Sequence, residues 1–86
     1  MVTAFVLLNV PAKSSGEVVK ELRKHHEIRE ACAVYGEADV MIKIQAASLE
    51  ELDRLVMEVI QGDPNVRSTR TYLGIESLHW EKREAA

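Results

Sequence analysis

The residues able to do chemistry in this chain are few and dispersed. A histidine pair, His25 and His26, stands far from His79, and Cys32 is the one cysteine. Adjacent residues on a helix diverge, and neither an HExxH-like spacing nor a cysteine pair completes a coordination set, so no metal signature is expected. Cys32 sits in an apolar, strand-like stretch without a basic neighbour, where a thiol behaves as a small hydrophobe and packs. No Ser-His-Asp spacing stands out, and the four glycines build neither GxGxxG nor a phosphate loop. The sequence therefore predicts no enzyme and no cofactor.

One grouping has a coherent chemistry. Gly36-Glu37-Ala38-Asp39 forms a turn, and Thr69 and Thr71 follow at strand spacing. A turn glycine leaves backbone amides open to a carboxylate, Asp39 can pair with an ammonium, and two hydroxyls on one strand face can orient a polar ligand. Together they would suit an amino acid. The same residues also have plain structural uses: Gly36 permits the turn, Asp39 starts a strand, and threonine has high β-propensity. Spacing alone favours the structural uses.

The elements that must position these residues follow from hydrophobic periodicity. Val2–Val10 is a β-branched-rich run ending at Pro11, as in a central strand buried on both faces. Ser14 and Glu17 have capping-box spacing, and Val18, Val19, Leu22 and His25 or His26 recur at helical intervals, predicting a helix to about His26. Ala31–Tyr35 and Asp39–Gln45 flank the glycine turn as a hairpin, with Val40, Ile42 and Ile44 on one face and Met41 on the other. Ser48 and Glu51 repeat the capping box before the stripe Leu52, Leu55, Val56, Val59 and Ile60, with Gly62 as the expected C-cap. Val66–Leu78 reads as a long last strand.

The order β-α-β-β-α-β predicts an α+β, ferredoxin-like sandwich, with both helices on one face of a four-stranded antiparallel sheet. Residues 1–80 form the domain and residues 81–86 a flexible tail. One sheet face stays open, carrying Met41 with either Phe5 and Leu7 or Val6 and Leu8. At 86 residues, and with no possible intrachain disulfide, such a core gains from self-association. The apolar open face favours a face-to-face dimer, an α/β barrel-like assembly.

A net charge of −3 gives no general attraction to phosphate backbones. Phe5 is the one aromatic residue on the strands placed centrally, which argues against an RNA-recognition surface. Val2–Val10 is too short to span a membrane and lacks the features of a signal peptide, so the cytoplasm is the default location and no membrane partner is expected.

Val34–Ile44, containing Tyr-Gly-Glu-Ala-Asp, and Pro64–Thr71, containing Val-Arg-Ser-Thr-Arg-Thr, resemble the hairpin and final strand of the effector-binding domain of the Lrp/AsnC transcription regulators. The resemblance covers nearly the whole chain. It implies dimers assembling into octamers or decamers, an amino acid or related metabolite as effector, and Gly36, Asp39, Thr69 and Thr71 as ligand-side positions. Ala38 departs from the family pattern, where Tyr or Phe is usual. The chain begins at the first strand with no helix-turn-helix ahead of it, so a stand-alone effector module is expected, sensing a metabolite or co-assembling with full-length regulators.

Two other readings compete. A dimeric ferredoxin-like monooxygenase or isomerase needs a polar cavity between helices and sheet, whereas Val18, Leu22, Val40, Ile42, Ile44, Leu52, Leu55 and Val59 should fill that space. An ACT-type amino-acid-binding domain would bind through the loop after the first strand, yet Lys13–Gly16 lacks the usual glycine turn. From charge and the lack of a recognition helix, the purified chain alone is expected to give no sequence-specific gel shift at moderate salt. Specific retardation by this chain alone would contradict that reading.

Overall fold

The computed structural model describes residues 1–83. The chain runs β1 (Val2–Asn9), α1 (Ser15–Leu22), β2 (Ile28–Ala33), β3 (Val40–Ala46), α2 (Leu49–Arg54) and β4 (Ser68–Leu73). Helix α2 continues into π-helical turns over Leu55–Ile60, and a 3-10 turn spans Glu76–Leu78. The strands form one antiparallel sheet in the order β2-β3-β1-β4. This is the ferredoxin-like α+β arrangement expected from the element order.

Strand β1 pairs on both edges, with β3 from Val2↔Ala46 to Leu8↔Val40 and with β4 from Ala4↔Leu73 to Asn9↔Ser68. The register Val6↔Ile42 and Ala4↔Ile44 puts Ala4, Val6 and Leu8 on the same side as the apolar positions of β3. All three are fully buried and pack with Val18, Leu22, Leu52, Leu55 and Ile60 from the helical layer. Full burial of a valine or leucine side chain contributes about 1.5–3 kcal/mol. The alternative left open by sequence is thereby settled: Phe5 and Leu7, with Met41, take the uncovered face.

Several boundaries differ from the sequence reading, each for a local reason. Helix α1 ends at Leu22 because the chain tightens there, His25 N–H donating to the Leu22 carbonyl at 3.1 Å and Lys24 N–H to Glu21 at 3.3 Å. The Ser14 side chain makes no capping bond. Strand β2 begins earlier than expected, at Ile28, and ends at Ala33; as an edge strand it tolerates the exposed Arg29 and Glu30 and a register shift between Ile28 and Glu30. Strand β4 is far shorter than Val66–Leu78 because its partner β1 runs out, the pairing closing with Gly74 N–H on the Thr3 carbonyl at 2.8 Å.

The second helix starts as expected, the Ser48 hydroxyl accepting from Glu51 N–H at 3.1 Å. Glu51 reaches back one residue further than in a standard box, to Ala47 N–H at 3.2 Å. The later π-helical turns bring residues five apart onto one side, so Leu55 and Ile60 are both buried while Val56 and Val59 are half-buried. Gly62 is not a left-handed cap, since Gly36 alone among the described residues has positive φ. A side chain there is barred by proximity: a Cβ would lie 2.3 Å from the Glu58 carbonyl oxygen.

Beyond β4 the chain turns back over the open face. The His79 ring stands edge-on to Phe5, with centroids 6.2 Å apart, and Lys43 Nζ meets Glu81 Oε1 at 2.6 Å. The Lys43 ammonium holds the exposed Glu81 carboxyl below the usual carboxylate range. Of the expected flexible tail, residues 84–86 lie outside the described residues.

Gly62→Ala should lower the unfolding free energy by about 1–3 kcal/mol through the forced contact with Glu58. Gly16→Ala, where a Cβ meets nothing within 4 Å, should be neutral or slightly stabilising in the same denaturant titrations. Equal effects of the two would refute the close-approach argument. Light scattering should show at least a dimer at micromolar concentration, weakened without loss of helical signal by Phe5→Glu or Leu7→Glu. Val6→Glu, in the core, should abolish folding.

Candidate functional site

The turn between β2 and β3 is held by the end of β1. Gly36 adopts φ +139°, a conformation that L side chains rarely reach, and so lets the hairpin reverse. Val34 N–H donates to the Asp39 carbonyl at 2.9 Å, closing the turn. Asp39 N–H donates to the Leu8 carbonyl at 2.9 Å, and Asp39 Oδ2 accepts from Val10 N–H at 3.0 Å. The Asp39 carboxylate thus holds the chain where β1 gives way to the loop, leaving its other oxygen without a hydrogen bond among the described residues. Ala38 presents only a methyl beside it and is half-buried.

Asn9, which the sequence reading did not single out, ties this turn to β4. Its Nδ2 donates to the Glu37 carbonyl at 2.7 Å, its Oδ1 accepts from the Ser68 hydroxyl at 2.9 Å, and its carbonyl accepts from Arg67 N–H at 2.8 Å. A single amide side chain at the end of an apolar run was the available signal. Thr69 lies opposite Leu8 and accepts from Gln61 Nε2 at 3.2 Å, while Thr71 lies two pairs further in, opposite Val6. The structure brings the Gly36–Asp39 turn and Thr69 to the same end of the sheet, with β1 between them. The hollow beside Thr69 is lined by Gln61, Val66, Arg67 and Ser68 and does not include the turn.

The uncovered face bears its own hollow, lined by Phe5, Glu30, Cys32, Val34, Met41 and Lys43 among others. Cys32 is exposed there rather than packed in the core, because it lies on an edge strand opposite Met41. In contrast, the space between helices and sheet is filled as expected by Val18, Leu22, Val40, Ile42, Ile44, Leu52 and Leu55, all buried, with Val59 half-buried. At the opposite end of the sheet from the turn, His26, Glu27 and Glu51 place one potential ligand atom each within 4.8 Å of one another. His25 and His79 do not join that group. Among the described residues, no helix is long and apolar enough to cross a membrane.

Comparison with known proteins places this geometry. The HTH-type transcriptional regulator FL11 of Pyrococcus abyssi is 35% identical over 81 residues, 94% of this chain and 52% of that protein. The chain thus spans about half the length of the curated relatives it matches. The crystal structure of hypothetical protein PHS023 from Pyrococcus horikoshii superposes with a TM-score of 0.84 at 37% identity, covering 87% of this chain and 90% of that one. A feast or famine regulatory protein from M. tuberculosis, solved in complex with L-methionine, shares the fold at 21% identity and a TM-score of 0.77, over 98% of this chain and 56% of that one. The family model for the Lrp/AsnC ligand binding domain matches residues 3–82, and the chain belongs to that family.

Proposed function

We propose that the chain is a non-catalytic, cytoplasmic regulatory module that binds a free amino acid or close relative and assembles with itself through its open sheet face. The carrying observation is the match to a ligand-binding domain over almost all of the chain. The amino acid in the M. tuberculosis regulator gives the ligand class by analogy. Homodimers would assemble further into octameric or decameric rings, in which full-length regulators of the same family could also take part.

The ligand site proposed is the end of the sheet formed by Gly36, Ala38 and Asp39 with Thr69 and Thr71. The free oxygen of Asp39 would receive the ammonium, amides near Gly36 the carboxylate, and a threonine hydroxyl a remaining polar group. Because this end lies open in the single chain, a neighbouring protomer would complete it. The small Ala38 would leave space beside the ligand where the family pattern places a ring. The enzyme reading is disfavoured because, among the described residues, the space between helices and sheet is filled by apolar side chains.

Asp39 also bonds Val10 N–H, so Asp39→Ala would remove a strand-end bond along with the charge. Asp39→Asn can keep an acceptor oxygen on Val10 N–H while removing the charge and turning the other oxygen into an NH2 donor. Among the common amino acids, at least one should raise the melting temperature by several degrees at about a hundred times its Kd, equivalent to ~2.7 kcal/mol per site. Asp39→Asn should fold normally yet lose that shift. A shift unchanged in Asp39→Asn would exclude this pocket, and no shift with any amino acid would exclude the ligand class.

A further inference from the structure

The loop between α1 and β2 and the first turn of α2 meet at the end of the sheet remote from the hairpin turn. There His26, Glu27 and Glu51 converge, although Glu51 is distant in sequence from the other two. Glu27 keeps only 8% of its surface exposed, and its carboxylate oxygens, which retain contact with solvent, accept no hydrogen bond among the described residues. No lysine or arginine of the described residues forms an ion pair with Glu27 or Glu51. A carboxylate held at low exposure beside an imidazole suits a bound cation, which would replace the water on its oxygens.

The one close approach is His26 Nδ1 to Glu27 Oε1, at 3.4 Å. That is long for a charge-assisted hydrogen bond, which runs about 2.7–2.9 Å. It equals the edge of a tetrahedron whose corners lie about 2.1 Å from a central zinc, roughly 3.4 Å. Glu51 brings a third oxygen within 4.8 Å of the other two, and rotation about its side-chain bonds can close the gap. It uses Oε2 to hold Ala47 N–H, which leaves Oε1 for a ligand.

We propose that His26, Glu27 and Glu51 form a site for a divalent transition-metal cation of the zinc class, with water in the fourth position. One imidazole with two carboxylates suits such an ion better than the all-oxygen coordination preferred by calcium or magnesium. The site clips the α1-β2 loop to the start of α2 and is separate from the effector end of the sheet. Its ligands come from segments that share no secondary-structure element.

Calorimetric titration of the untagged chain with zinc chloride tests this. One zinc per chain should bind saturably in the micromolar range, with magnesium chloride giving no heat of binding. His26→Ala and Glu51→Gln should each weaken zinc binding at least ~10-fold. His26 has an 89% exposed side chain, so its loss should leave the fold intact, as circular dichroism would verify. His25→Ala and Cys32→Ser should bind as the parent does. Saturation only at millimolar zinc, unchanged binding in His26→Ala and Glu51→Gln, or loss of binding in His25→Ala or Cys32→Ser would each overturn the assignment.

Discussion

Strand β1 is apolar towards both faces of a sheet that has helices on only one. Its even-numbered side chains, Ala4, Val6 and Leu8, supply the centre of the core, and the alternation of a strand then turns Phe5 and Leu7 the other way. Both edges of β1 are already taken by β3 and β4, so neither set can be relieved by moving the strand outwards. A one-residue slip would exchange the two sets and cost the whole core. The register that stabilises the monomer is thus the same register that creates its exposed apolar surface. The returning chain covers a part of that surface, through His79 at Phe5 and Glu81 at Lys43.

The hairpin end has a comparable dual character. Asp39 and Asn9 spend hydrogen bonds on backbone groups of the β2-β3 turn and the end of β1 and on the Ser68 hydroxyl at the start of β4, joining the three segments. Such bonding favours one position for the turn before any ligand arrives, which reduces the ordering cost of binding. The structural and functional readings of Asp39 are therefore compatible: one carboxylate oxygen positions the chain and the other faces no donor among the described residues.

The fold was legible because its signals are periodic. The alternation of Val40, Ile42 and Ile44 and the helical stripe from Leu52 to Ile60 each mark a face directly. Less legible were features that depend on partners remote in sequence. The early start of β2 at Ile28 was hidden by Arg29 and Glu30, which only an edge position explains. The π-helical turns of Leu55–Ile60 have no local signature, and Gly62 reads as an ordinary helix stop until the Glu58 carbonyl is placed against it. Among site residues, Gly36 and Asp39 were visible as turn chemistry. Asn9 was not, because its role rests on Glu37 and Ser68, and the approach of Glu51 to His26 likewise exists only once α2 is laid on the sheet.

The adjacency of β1 and β4 has a consequence for synthesis. Strand β1, made before the other strands of the sheet, takes its last partner from the strand made after all of them, Ala4 to Asn9 pairing with Leu73 to Ser68. Until that segment emerges, one edge of an apolar strand has no neighbour, and a β1-β3 pair formed earlier remains an open ribbon. Contacts so distant along the chain slow folding and lengthen the exposure of unpaired strand edges. The nascent domain therefore keeps its most apolar strand half satisfied until β4 has been made, and completes its sheet only then.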